Sequence, residues 1–281
     1  MKNLSQQIEN LMVARNPRGM QTVQAALQPG YYLRAAQLIE QALATHTARV
    51  LIGTGFPVGN TFETDGPLGA IALYRAIENL GGNPVLVCGA PLADCLKHDF
   101  TTYKIAVADT PNRQQEARRA LDHWQPDLII SIERPGLNAQ GNYCNMRGED
   151  ISANCASFDY FLNLANCPTI GIGDGGNEIG MGNVIDTLTA LDIVPSTTCC
   201  DELVIADVSN WAAHGLIAML SCARGEDMLA GWNNRDVLRY LSSHGSVDGV
   251  SRKNTLTEDG LPSELSEQLI ANLRKIGGFC D

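Results

Sequence analysis

Asp127-Leu128-Ile129-Ile130-Ser131-Ile132 is a nearly unbroken apolar run, opened by a carboxylate and closed by the charged pair Glu133-Arg134. A strand wetted on one face alternates apolar and polar residues, whereas a strand covered on both faces stays apolar along its length. This run therefore predicts a strand inside a sheet that has helices above and below it. Short runs of the same kind recur at 49–53, 84–88, 104–107, 168–172 and 202–206. Between and after them lie segments of helical period at 66–80, 92–98, 112–124 and 158–166, a helix starting near Met181, and three more at 211–222, 235–244 and 264–276. Strands alternating with helices give an α/β fold with a mainly parallel, doubly wound, Rossmann-like sheet and helices on both faces. Ahead of the first strand, Leu4, Ile8, Leu11 and Met12 have helical spacing, Asn16-Pro17-Arg18-Gly19 breaks it, and a second helix runs from Pro29-Gly30 through Tyr32, Ala35, Ala36, Ile39 and Leu43 to near His46. These residues, 1–47, are expected to form an N-terminal helical appendage. No internal repeat or linker divides the chain, so 1–281 is expected to be a single domain.

Composition narrows the chemistry. The 281 residues are 44% hydrophobic and 18% charged, enough apolar material for a full core and too little charge for a disordered chain. Lys and Arg number 20 against 31 Asp and Glu, a net charge of -11 that repels phosphate backbones and anionic lipid. Neither nucleic acid nor membrane is an expected partner; a small amino-acid substrate is, and a homo-oligomer is compatible. The same acidity, gathered in a cleft, favours a metal ion or an amine. No apolar run is long enough for a transmembrane helix and the polar first residues lack a signal core, so a cytoplasmic location is expected. Nine cysteines without a Cys-x-x-Cys pair read as reduced thiols, Cys144 among them.

Ligands bind open parallel sheets outside the carboxyl ends of the strands, and three loops there are long and polar. They carry Glu63 and Asp65 after the first strand, Glu133, Arg134, Asn145 and Arg147 after the fourth, and Asp174, Gly175, Gly176, Asn177 and Glu178 after the fifth. The last loop contains Gly-x-Gly-x-x-Gly at Gly171, Gly173 and Gly176, but Asp174 and Glu178 put negative charge where a pyrophosphate would sit, so no nucleotide cofactor is expected. A glycine-rich nest of amides beside paired acids can instead grip a carboxylate together with a metal or a proton. Each acid also has a structural reading. Asp65 before Gly66-Pro67 can cap the next helix, Glu178 can cap another, and Glu133 can simply pair with Arg134. Arg147 either clamps a carboxylate or staples to Asp150. The five histidines are scattered outside these loops, which weakens schemes built on His.

Thr54-Gly55-Phe56 with Glu63-Thr-Asp-Gly-Pro67, Ile132-Glu-Arg-Pro-Gly136, Asn145-Met-Arg-Gly148 and Gly171-Ile-Gly-Asp-Gly-Gly-Asn-Glu-Ile-Gly-Met-Gly182 together resemble the D-glutamate cyclase family, specifically its C-terminal domain. The four motifs span about half of the chain, and longer family members carry another domain ahead of this one. The resemblance implies a lyase that cyclises D-glutamate to 5-oxo-D-proline with loss of water. The chemistry asks for a base to free the amine and for charge to be offset on the carboxyl oxygens. Asp174, Glu178 and Glu133 are the expected catalytic residues, and Arg134, Arg147, Asn145, Gly175, Gly176 and Asn177 the expected substrate contacts. Asp65, Glu133, Asp174 and Glu178 are the expected ligands of a divalent metal, Mg2+ or Mn2+ rather than Zn2+, because they are all oxygen donors. The alternatives are a metal-dependent hydrolase or lyase acting on another small amino or carboxylic acid, and a non-catalytic amino-acid-binding subunit.

Overall fold

In the computed structural model, which describes residues 1–44 and 47–280, the chain opens with α1 (Lys2–Met12), α2 (Met20–Ala26) and α3 (Tyr31–Leu43) and enters the sheet at β1 (Arg49–Gly53). A small hairpin, β2 (Pro57–Val58) and β3 (Thr61–Phe62), leads into α4 (Pro67–Asn79). The next elements are β4 (Asn83–Gly89), α5 (Leu92–Leu96), β5 (Thr102–Ile105), α6 (Arg113–Trp124), β6 (Leu128–Ile132), α7 (Asp159–Asn163) and β7 (Thr169–Gly173). α8 (Ile185–Leu188), β8 (Glu202–Ile205), α9 (Ser209–Arg224) and α10 (Asn234–Ser243) follow, and a second hairpin, β9 (Thr257–Glu258) and β10 (Leu261–Pro262), precedes α11 (Ser263–Ile276).

Six strands form one parallel sheet in the order β5-β4-β1-β6-β7-β8. The chain winds outward from β1 in one direction, returns to β6 on the other side of β1, and winds outward again. The crevice between β1 and β6 is therefore the topological switch point, the usual ligand position in such sheets. Alternate residues of the strands face two apolar layers, which is why the strand sequences carry no alternation. Val50, Ile52, Leu128 and Ile130 face the larger layer with α3, α4 and α9, while Leu51, Val85 and Ile129 face a smaller one with Ala117 and Ala120 of α6 and Phe158 and Phe161.

The N-terminal helices belong to the larger layer: Ile8, Met12, Tyr31, Tyr32 and Ile39 are fully buried there, and the Tyr32 hydroxyl donates to the Ile205 carbonyl at 3.0 Å. The segment expected to be an appendage is thus part of the core. α2 was not expected, the strand expected at 104–107 lies two residues earlier, and the helix expected from Met181 begins as a 3-10 turn, Met181–Val184. The expected helix end near His46 lies outside the described residues. Among the described residues no helix is long and apolar enough to cross a membrane.

Candidate active site

The loops after β1, β6 and β7 meet at the switch point around a cavity of about 420 Å³, lined by Glu63, Glu133, Asp174 and Asp259 together with Arg18 and Asn177. Carboxylate oxygens of Asp65, Asp174 and Asp259 lie within 4.8 Å of one another, and so do those of Glu133, Asp174 and Glu178. Asp174 belongs to both groups and sits at their centre.

Local structure explains how each acid is held. Glu133 leaves β6 in a left-handed conformation, φ 45°, and its carboxylate accepts a hydrogen bond from the Ser209 hydroxyl. Such a backbone is disfavoured for a residue with a side chain and marks a position that its surroundings enforce. Gly66 makes room for it: a Cβ there would stand 2.6 Å from the Cβ of Glu133. Asp65 does cap a helix, although not the one that follows it. Its carboxylate accepts from the amides of Ser209 (2.9 Å) and Asn210 (2.7 Å) at the start of α9, while the Asn210 side-chain oxygen accepts from the amides of Gly66 and Gly69 at the start of α4, both at 2.8 Å. The two helices cap each other across the crevice.

Several expected substrate contacts are already occupied. The amides of Gly175 and Gly176 donate to Glu178 at 3.0 and 2.7 Å, because a fully buried carboxylate needs donors and these are the nearest. They are therefore spent within the turn, unavailable to a substrate carboxylate or a pyrophosphate. Arg134 is buried and donates to the carbonyls of Thr54 and Gly55, each at 3.0 Å, and of Ala156, which ties the loop after β1 to the loop after β6. Its guanidinium does not line the main cavity. Asn145 closes its own turn, accepting from the amides of Arg147 (2.9 Å) and Glu149 (3.1 Å) and donating to the Glu149 carboxylate at 2.6 Å. Arg147 is exposed at the cavity mouth, and Asp150, its expected staple, accepts instead from the Ser152 amide at 2.8 Å. Asn177 donates to the Cys144 carbonyl at 3.0 Å, and its side-chain oxygen is buried beside the cavity with no hydrogen-bond partner among the described residues.

Arg18 and Asp259 join the acids from outside the three loops. Arg18, in the break after α1, reaches Asp174 Oδ2 and Asp259 Oδ2, each at 2.6 Å. Its turn is held by the Asp207 carboxylate, which accepts from the amides of Arg15 (2.7 Å) and Asn16 (3.1 Å). Asp259 and Gly260 form the two-residue tip of the β9–β10 hairpin, both at positive φ, 51° and 75°. That is the conformation for which Asp-Gly is selected, so Asp259-Gly260 was a turn signal available in the sequence. The hairpin is anchored by the buried carboxylate of Glu258, which accepts from Asn210 (2.7 Å), Asn234 (2.7 Å) and Ser266 (2.6 Å).

The model of the D-glutamate cyclase-like C-terminal domain matches residues 8–274. This chain belongs to that family. It is 31% identical over 226 residues to the mitochondrial D-glutamate cyclase of Homo sapiens, a match covering 69% of this chain and 37% of the human protein, so the chain spans little more than a third of that relative's length. Solved structures with some likeness are the C-terminal domain of the coenzyme A biosynthesis bifunctional protein CoaBC (TM-score 0.30, 17% identity, 57% of this chain and 77% of that one) and the ligand-free aldohexose dehydrogenase of Thermoplasma acidophilum (TM-score 0.27, 11% identity, 83% and 89%).

In this D-glutamate cyclase-like chain the electrostatics of the site follow from crowding acids away from water. Burial pushes Asp65, Asp174 and Asp259 up to about 8, reinforced for Asp65 by Asp259 and for Asp259 by Asp174. Glu63 and Glu133 are raised well above the usual carboxylate range by burial and then by their acidic neighbours. Arg18 is the guanidinium that opposes this, lowering both Asp174 and Asp259. A cluster with more carboxylates than cations near neutral pH holds protons, and it offers oxygen ligands to any added cation.

Proposed function

We propose that this chain is a lyase that closes D-glutamate to 5-oxo-D-proline with loss of water. The observation that carries the reading is the excess of buried carboxyl groups over Arg18 at the switch point of a chain from the D-glutamate cyclase-like family. An α-ammonium group supplies the positive charge this cavity lacks. Asp174, with a proton affinity near neutrality, suits the base that takes the ammonium proton. The freed amine then attacks the γ-carboxyl carbon; the C–N bond forms, the C–OH bond breaks, and water departs. A γ-carboxylate anion is a poor electrophile, and a cluster that shares protons favours the neutral acid form of that carboxyl. Glu133, whose proton affinity burial raises, would give its proton to the departing hydroxyl and recover one from the nitrogen, which sheds its second proton as the amide forms, so that Asp174 keeps the single proton released overall. Holding the chain bent lowers the barrier further by proximity.

We also propose a divalent cation, Mg2+ or Mn2+, bound by oxygens of Asp174 with Glu133 and Glu178 or with Asp65 and Asp259. The all-oxygen donor set and the unpartnered Asn177 oxygen fit such an ion. When bound it would offset charge on the substrate carboxyl oxygens. The decisive experiment is incubation of the purified chain with each glutamate enantiomer, with and without divalent metal, while 5-oxoproline is followed. Formation from D-glutamate supports the reading, and its absence under every condition overturns it. Binding without turnover would favour an amino-acid-binding subunit, a reading prompted by the 37% of the human relative that the match covers.

A further inference from the structure

The cavity is electrically lopsided. Its floor holds buried acids that outnumber Arg18, whereas at its mouth Arg147 and Arg252 stand on two loops and are matched by the exposed acids Glu149 and Asp150. We infer that Arg252 anchors the α-carboxylate of the substrate, an inference that rests on the lyase reading for its substrate class. The cyclising molecule must bring its amine and γ-carboxyl together on the floor, and the α-carboxylate takes no part in bond making. An anion forced among buried acids is costly, so this spectator group belongs at the solvated mouth, where a guanidinium can take it.

Arg252 is built for the task by its turn. The Asp248 carboxylate is fully buried and accepts from the amides of Val250 (3.1 Å), Ser251 (2.6 Å) and Gly260 (2.6 Å) and from the Thr257 hydroxyl (2.8 Å). The Arg252 amide closes the turn on the Asp248 carbonyl at 2.8 Å, with Arg252 itself at φ 56°, a conformation that arginine adopts only where its surroundings impose it. The turn rests on the cavity wall: a Cβ on Gly249 would fall 2.0 Å from Glu63 Oε2. Among the described residues the guanidinium meanwhile has only a loose partner, Glu149 on the opposite loop at 3.6 Å, with both side chains about half exposed. A substrate carboxylate accepting two N–H bonds from the guanidinium fork is a better partner than that contact.

The test is calorimetric titration of the full chain, with and without Mg2+, using D-glutamate and its α-amide, which keeps the amine and the γ-carboxyl. The wild type is expected to bind D-glutamate about 10–100-fold more tightly than the α-amide, as one charge-assisted anchor allows. Arg252→Gln should weaken D-glutamate by that factor, leave the α-amide unchanged and melt as the wild type does, and Glu149→Gln should not weaken either. Equal affinity of the wild type for the two ligands, or undiminished D-glutamate binding by Arg252→Gln, overturns the inference and leaves the lyase reading standing. Failure of D-glutamate to bind the wild type at all overturns both, while binding that follows the expected pattern without 5-oxoproline formation overturns only the lyase reading.

Discussion

Asp174 Oδ2 lies 2.6 Å from Arg18, and among the described residues no backbone amide donates to the Asp174 carboxylate. Its role is therefore separable from the shape of its loop, which the carboxylate of Glu178 holds. Asp174→Asn is expected to fold normally and to lose at least ~10²-fold in 5-oxoproline formation, the usual size of a general-base contribution. Rate and thermal unfolding measured on one preparation decide the matter, since an active variant that melts early would make Asp174 a structural residue. Arg18→Met tests the opposing charge. Without the guanidinium, Asp174 and Asp259 lose the neighbour that lowers them and rise further above about 8. The base is then ionised only at higher pH, so the acid limb of the kcat/KM profile should move to the alkaline side. An unmoved limb would show that neither acid is the titrating base.

Helices α4 and α9 define the crevice because each caps the other, Asp65 on α9 and Asn210 on α4. Gly66 is the hinge of that exchange, at φ 89° and with its Cα directed at Glu133. Gly66→Ala should cost about 1–3 kcal/mol from the strained backbone and the clash, read as a fall in the denaturant midpoint at unchanged slope. Substitution without loss of stability would mean that the loop can move away from β6. Elements of this kind were only partly legible in the sequence. The six strands were, because burial on both faces leaves uninterrupted apolar runs such as Leu128-Ile129-Ile130. The acids of the three loops were too, since strand ends in a parallel sheet share one edge. Arg18 was not, because its link to Asp174 is set by the Asp207 carboxylate gripping the Arg15 and Asn16 amides, a contact across nearly two hundred residues. The glycine-rich turn misled for a different reason: spacing shows that amides converge but not that Glu178, two and three residues on, will claim them.

At the scale of the whole molecule, the β5-β4-β1-β6-β7-β8 strand order gathers into one crevice part of the negative charge carried by the chain, and this should govern how stability responds to pH. Carboxyl groups of an unfolded chain release their protons near pH 4. In the folded protein Asp65, Asp174 and Asp259 keep theirs until about 8, raised first by burial. Between those limits the native state binds more protons than the unfolded one, so the slope of unfolding free energy against pH is negative. The stability these groups contribute is complete below pH 4 and is lost as pH rises through 8. Other ion pairs, such as Arg34 with Glu202, weaken at low pH, so the expected melting temperature is highest near pH 5 and falls toward pH 8. A divalent cation should reverse the fall, because it replaces the protons and binds only the folded arrangement of oxygens. With metal at 100-fold over its dissociation constant the gain is about 2.7 kcal/mol. Melting curves at pH 5 and pH 8, with chelator and with Mg2+ or Mn2+, check both halves. Metal should raise the melting temperature at pH 8 much more than at pH 5, where protons already hold the sites. A melting temperature that stays level between the two pH values would mean that the acids are ionised in the native state, and a metal effect of equal size at both would place the ion outside this cluster.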